Sequence, residues 1–391
     1  MRFRALAIAL LCAQDPPNVV YREIDAKLQG TKRAPAASEP DFLRRVTLDL
    51  VGVVPGVEEA RAYLRKPDRA SLVDRLLGSK EFNAWWARFI LELTTDKRAV
   101  DFDAFEGAYY YRWLRKQLRK KRPYDAIVRD LIAASGNAEE NPEVNFILRY
   151  NVRPSDIVGG LARAFLGNKL QCAQCHDHPF DTFTQEDFWG VAAFFSRTNR
   201  TVTDFMTEDE VNGVGNAADH EEGNPEKPPL VAKPRWLGKG TDKTETGTRK
   251  DLARFVTADP GFARNLVNQV WARLMGRGLV MPLDGFGGKA KPSHPELLDA
   301  LAEHLRKSEY DLRALLRIIV TSQAYRRSSH AEGESDPRSF ARAALRPLTV
   351  DQIHLSIIRA TNYDPAPTSR TRSARIGPWT TGIPMPIWSP R

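Results

Sequence analysis

Residues 71–94 read SLVDRLLGSKEFNAWWARFILELT. Leu72, Leu76 and Leu77, then Trp85, Trp86, Phe89 and Leu93, return every three or four residues, the spacing that gathers side chains on one side of an α-helix. The stretch is expected to be one helix with its aromatic pair in a core. The same period extends outward in both directions. In PDFLRRVTLDL (40–50) it aligns Phe42, Leu43, Val46 and Leu50, and VGVVPG after it reads as a turn. In EGAYYYRWLRKQLRKKR (106–122) Tyr110, Trp113, Leu114, Gln117 and Leu118 share one face, while Arg112, Arg115, Lys116, Arg119, Lys120 and Lys121 occupy the other. Pro123 ends that helix, and YDAIVRDLIAAS starts the next. Ser155 and Asp156 are expected to cap SDIVGGLARAFLGN, which Gly167 and Asn168 stop with a left-handed turn.

Helical periodicity lapses over residues 200–249, which are rich in Gly, Pro, Asn, Lys and Glu, with at most a short strand pair near Leu230–Leu237. It resumes in DLARFVTADPGFARNLVNQVWARLMGRG (251–278), closed by Gly276. Next comes SHPELLDALAEHLRK (293–307), where Ser293 and Glu296 have the spacing of a capping box. Further helices are expected at Asp311–Thr321 and at Thr349–Ala360, the latter with a Thr349–Gln352 box. The fold class is therefore mainly α, with two helical domains joined by an irregular Gly/Pro-rich linker. Residues 20–199 form the first domain, 200–249 the linker and 250–364 the second domain. Residues 365–391 have no apolar period and are expected to be a disordered or aberrant tail.

The chain has 391 residues, a formal charge of +9 and a pI near 9.4. That length suits two cores, and the charge favours an acidic partner. MRFRALAIALLCA (1–13) places Arg2 and Arg4 before a short apolar run, the layout of a secretory signal too brief to span a bilayer. The mature chain is expected in the periplasm or outside the cell. Leu11 stands where lipoprotein processing at Cys12 wants a small residue, which disfavours lipid anchoring. No later segment is long enough for a transmembrane span. An exported basic chain would meet an anionic glycan or an acidic protein; no nucleic acid is expected. The basic face of residues 112–122 is either an ordinary solvated surface or a docking patch for such a partner.

With Cys12 set aside, QCAQCHDHPFD (171–181) holds the remaining two cysteines. Four readings stay open. Cys172, Cys175 and His176 form C-x-x-C-H, the spacing at which two thiols join the vinyl groups of a haem c and the next imidazole reaches the iron. A single transition-metal ion could instead use His176, His178 and Asp181, although a closed zinc site would need a second ligand pair. A redox C-x-x-C normally sits at a helix N-terminus, and this one follows a C-terminus. Last, the cysteines could form a short-loop disulfide with surface histidines. In the haem reading His178 and Asp181 would orient His176 from behind, and Met206, Met275, Met281, His220 and His294 are the candidates for the far side of the iron, none with a clear claim. There is no G-x-S-x-G, Walker loop, H-E-x-x-H or dinucleotide fingerprint, so no reaction is assigned. GFGG (285–288) reads as a flexible turn, and the carboxylates of Asp101 and Asp103 carry no acid–base geometry in sequence.

FLRRVTLDLVGVVPGVEEARAYL, LVDRLLGSKEFNAWWARF, AFLGNKLQCAQCHDHPFDTFTQEDFWGVAAFF, FARNLVNQVWARLMGRGLVMPLDGF and LLRIIVTSQAYRRSS together resemble a two-domain family of exported proteins abundant in planctomycetes. Its first part is called the planctomycete cytochrome-like domain of the second type, and its second the planctomycete-specific domain of the first type; both are of unknown function. The resemblance runs from about residue 20 to 362. It implies export, a redox partner or a sulfatase-like exported neighbour, and a setting in surface redox chemistry or polysaccharide metabolism. The stretch after residue 362 departs from the family pattern.

The expectation that follows is an exported protein binding a c-type haem through Cys172, Cys175 and His176, acting in electron transfer or haem-linked sensing beside a partner enzyme. The alternative is a non-catalytic surface interaction protein with a disulfide- or metal-stabilised loop, docking on anionic glycan or an acidic partner.

Overall fold

The computed structural model describes residues 25–26, 33–95, 104–200, 205–208, 217–218, 231–238, 247–330 and 336–361. The expected signal segment 1–13, Asp101, Asp103, His220, most of the expected linker and the tail from 365 onward lie outside them.

The first helix, α1 (Glu39–Val51), begins where the Ser38 hydroxyl accepts the Asp41 N–H, and it stops at Gly52, whose φ of 77° is left-handed. A short helix that the apolar period does not reveal follows, α2 (Val57–Arg65), which buries only Tyr63. The stretch 71–94 is not one helix but two, α3 (Arg69–Gly78) and α4 (Lys80–Thr94). The break has a local cause. Gly78 is a poor helix former, and Ser79 takes an extended backbone while its hydroxyl donates to the Leu76 carbonyl (2.7 Å) and accepts the Phe82 N–H (3.1 Å). One serine thus closes one helix and opens the next. Both stay amphipathic, so Leu72, Val73, Leu76 and Leu77 are buried along with Phe82, Trp85, Trp86 and Phe89.

Next come α5 (Ala104–Arg119), α6 (Tyr124–Ala133), the single turn α7 (Asn145–Leu148) and α8 (Pro154–Leu161). In α5 the expected face is buried at Tyr110, Leu114, Gln117 and Leu118, all at most 5% exposed, and half-buried at Trp113. Proline at the first turn, not Ser155 or Asp156, starts α8. α9 (Gln185–Ala192) carries a full capping box between Thr184 and Asp187. Strands are short: β1 (Gly136–Asn137) and β2 (Thr198–Arg200) flank β3 (Phe205–Glu208) antiparallel, and β4 (Ala217–Ala218) pairs with β5 (Val231–Ala232). The remaining helices are α10 (Arg249–Ala258), α11 (Pro260–Met275), α12 (Pro295–Lys307), α13 (Leu312–Thr321) and α14 (Val350–Thr361). The fold is mainly α. Among the described residues no helix is long and apolar enough to cross a membrane.

Helices from before and after residues 201–247 share one hydrophobic cluster, from Phe42 to Phe340. Tyr124 of α6 stacks on Phe262 of α11 with ring centres 5.6 Å apart. Arg313 of α13 reaches back to the carbonyls of Leu77 and Leu118, at 3.1 and 3.0 Å, and to the Asn83 side chain at 2.6 Å. Asp49 on α1, 6% exposed, accepts from Arg346 through both oxygens (2.9 and 2.8 Å) and from the Tyr325 hydroxyl (2.7 Å).

The Thr349–Gln352 box forms as expected, with both reciprocal bonds present. The Ser293 box does not. α12 starts one residue later with proline in its first turn, and the Ser293 N–H and hydroxyl both turn to the Leu279 carbonyl. His294 is left half-buried against Phe340. Burial pushes its imidazole below the ordinary value of 6.5. The unfolded chain therefore binds the extra proton, so this contribution to stability is whole above about pH 6.5 and declines as pH falls through the folded pKa. Urea unfolding at about pH 7.5 and about pH 5 should show a larger loss for the native chain than for His294→Gln. Equal losses in the two proteins would remove His294 as the source.

Candidate functional site

α8 runs into a widened π turn over Ala162–Leu166, which Gly167 ends with φ 67°. Widened turns of this kind leave carbonyls without helical partners. One of them, on Ala164, is met from the other half of the chain by the Asn265 side-chain amide of α11 at 2.8 Å. The Gly167 carbonyl is met in turn by the Phe286 N–H at 2.9 Å. The cysteine loop begins directly after this junction.

Leu170–Ala173 forms a single 3₁₀ turn, and a bend carries the chain on through His176. The loop is held by what lies between the cysteines. Ala173 is fully buried, and the Gln174 carbonyl accepts both the Trp189 indole N–H and the Gln185 amide, each at 3.0 Å. With the intervening residues anchored inward, Cys172 and Cys175 are both exposed, and both thiols are free. His176 is also exposed, and its Nδ1 lies 2.7 Å from the Asp177 carbonyl. A carbonyl only accepts, so this bond puts the proton on Nδ1 and leaves the Nε2 lone pair available to an acceptor of electrons. Asp177 is itself fixed, since its Oδ1 accepts the Gln185 N–H at 2.9 Å.

The structure separates the other two expected donors from this group. His178 is turned into its own loop, with Nδ1 accepting the Phe180 N–H (3.1 Å) and its backbone N–H donating to Phe183 (2.8 Å). Asp181 accepts the Thr182 N–H at 2.7 Å, and its carboxylate lies against Gly287. Among the described residues no three His, Cys, Asp or Glu side chains gather as a metal site, so His176, His178 and Asp181 are not brought together as one donor set.

Gly287 belongs to the GFGG stretch that reads in sequence as a flexible turn. Here residues 284–290 form one wall of the site. Gly287 has φ 84°, and a Cβ there would collide with the Asp181 carboxylate. Lys289 stands 5.0 Å above the Phe180 ring, which is 62% exposed, and Asp284 lies 3.7 Å from Lys169. Nothing in the local pattern marks these residues; only the positive-φ requirement of a glycine-rich turn hints at a close approach.

The chemistry of the donor set fits covalent haem attachment: two free, outward thiols and an imidazole whose second nitrogen is held by a backbone carbonyl, as metal-ligating histidines usually are. Of the far-side candidates, Met275 is core at 6% exposure, Met281 is 41% exposed, and His294 is beside Phe340.

Comparison with known families gives two matches. Residues 20–200 match the model of PSCyt2, described as protein of unknown function (DUF1549). Residues 248–370 match that of PSD1, likewise protein of unknown function (DUF1553). No curated protein and no solved structure matches the chain.

Proposed function

From the premise that the chain belongs to the two-domain family in which PSCyt2 precedes PSD1, we propose that it is an exported c-type haem protein serving electron transfer beside a partner enzyme. The observation that carries this reading is the presentation of C-x-x-C-H: the buried Ala173 and the doubly bonded Gln174 carbonyl turn both thiols outward, and Asp177 holds the His176 ring with Nε2 free. Cys172 and Cys175 would hold the haem by thioether bonds and His176 would ligate the iron. When bound, the haem supplies a one-electron couple. The chain's own contribution is to fix the imidazole tautomer, to keep the loop rigid through Trp189 and Gln185, and to leave the group at the surface, where a partner can approach it. The apolar run after Arg2 and Arg4, arranged as a secretory signal, supports the export part of this reading.

The test is production in cells with c-type maturation, followed by the denatured pyridine-complex spectrum and intact mass. The native chain should show a c-type spectrum and the mass of one added haem, and Cys172→Ser/Cys175→Ser should show neither. His176→Ala should keep covalent haem but lose the native visible spectrum. A native chain that emerges colourless at its bare polypeptide mass, while a control cytochrome matures in the same cells, sinks the reading.

A further inference from the structure

A second site lies away from the cysteine loop. The basic face of α5 does not front open solvent throughout; it forms the rim of a cavity of about 710 Å³. Arg112, Arg115, Lys116 and Arg119 follow one another along that rim at intervals of three, one and three residues, so they occupy one side of two successive helical turns. Lys80, at the start of α4, and Arg359 of α14, which pairs with Glu59, bring the cations of the lining to six. Among the described residues Lys80, Arg115, Lys116 and Arg119 form no ion pair, and Glu81 is the one carboxylate in the lining. Four unpaired cations converging on one concavity raise a local positive potential that an anion would relieve.

The floor is of the opposite character. Val53, Ala84, Leu355 and Ile358, from the turn after α1, from α4 and from α14, line it. The neutral polar group there is Asn83, and its amide is already engaged: Nδ2 donates to the Ser79 carbonyl and Oδ1 accepts from Arg313. The side chains of this floor offer a sugar neither a free hydrogen-bonding group for its hydroxyls nor an aromatic ring to lie on. The size falls within the range of pockets that enclose one small molecule.

We propose that this cavity binds an anionic amphiphile, a single molecule with a phosphate, sulfate or carboxylate head and an aliphatic body. The head would sit among Arg115, Lys116 and Arg119, and the body would cover Leu355 and Ile358. Because α14 belongs to one half of the chain and α4 and α5 to the other, an occupant would touch both halves.

The probe is dodecyl phosphate, titrated below its micelle concentration into the full-length protein by calorimetry. One site per chain is expected. Affinity should fall at least tenfold in Arg115→Gln/Lys116→Gln/Arg119→Gln, whose changes are conservative on an exposed helical face, and at least tenfold in Ile358→Asp. Inorganic phosphate and dodecyltrimethylammonium should both bind at least tenfold more weakly. Unchanged binding in the triple variant would overturn the assignment. So would equal binding of a sulfated oligosaccharide that ignores Ile358→Asp, which would make the face a polyanion surface. Capture of phosphatidylglycerol vesicles without any binding of the monomer would make it a membrane contact instead, and would likewise reject the proposal.

Discussion

Asp49→Ala should lower the unfolding free energy by about 3 kcal/mol, the lower end of what breaking one side of a buried ion pair costs. The carboxylate receives three hydrogen bonds from two residues nearly three hundred positions away, Tyr325 and Arg346. Burial, with the Asp49 charge beside it, pushes the Tyr325 phenol far above its ordinary value, so it remains a donor across the neutral range. Burial alone would push Arg346 down, yet Asp49 outweighs this and holds the guanidinium up. Removing the carboxylate strands the Tyr325 hydroxyl and Arg346 Nη2, while Arg346 Nη1 keeps the Arg273 carbonyl. The Arg346 side chain is 29% exposed, and water can reach it, which keeps the cost at the low end. Asp49→Asn should cost less, since its amide oxygen still accepts from Tyr325. Asp49→Leu/Arg346→Met removes both charges and should recover a good part of the loss. Urea unfolding of the four proteins checks this. A double variant no better than Asp49→Ala would mean that the cost comes from packing and not from the unpaired charge.

Gly167→Ala should be nearly as damaging, at about 2–4 kcal/mol, by a different route. A left-handed φ costs an alanine about 1 kcal/mol, and the new Cβ would stand 2.5 Å from Asn265 Oδ1 and 2.8 Å from Phe286 Cδ2. Such overlap in a packed region costs about 1–3 kcal/mol more. The residues that must yield are those that satisfy the Ala164 and Gly167 carbonyls, so the strain reaches the foot of the cysteine loop. The measurable sign is local. Limited proteolysis between His176 and Phe183 should accelerate at urea concentrations that leave the rest of the chain protected. Asn265→Ala in the same protein should relieve part of the clash, so the two substitutions together should cost less than the sum of each. Strict additivity would show that Gly167→Ala acts through backbone strain without touching Asn265.

Periodicity made most helices legible because it reports a local fact, the side on which a helix is buried. The faces of Phe42, Val46 and Leu50, and of Tyr110, Leu114 and Leu118, are buried as their spacing predicts. The stop at Gly167 was equally local. What periodicity missed was either finer or farther. At Ser79 a hydroxyl that serves two helix ends outweighs a continuous apolar pattern, and at Ser293 a bond to Leu279 outweighs a capping box. In the cysteine motif the ligand-type residues were plain from their spacing. The direction of the thiols was not, because it follows from Trp189 and Gln185 pulling on the Gln174 carbonyl. The wall built by residues 284–290 lies more than a hundred positions downstream, and a glycine-rich turn does not state what it leans on.

The single hydrophobic cluster that runs from Phe42 to Phe340 bears on how such a chain can change over generations. A module with a closed core can be copied, shuffled and fused to new neighbours as a self-sufficient part. Here Arg313 completes hydrogen bonds in the first half, and Asn265 finishes the last turn before the cysteines. Neither half carries its full set of partners when inherited apart. Recombination would have to move PSCyt2 and PSD1 as a pair, and substitutions at their shared face would be selected jointly even though two family descriptions divide them.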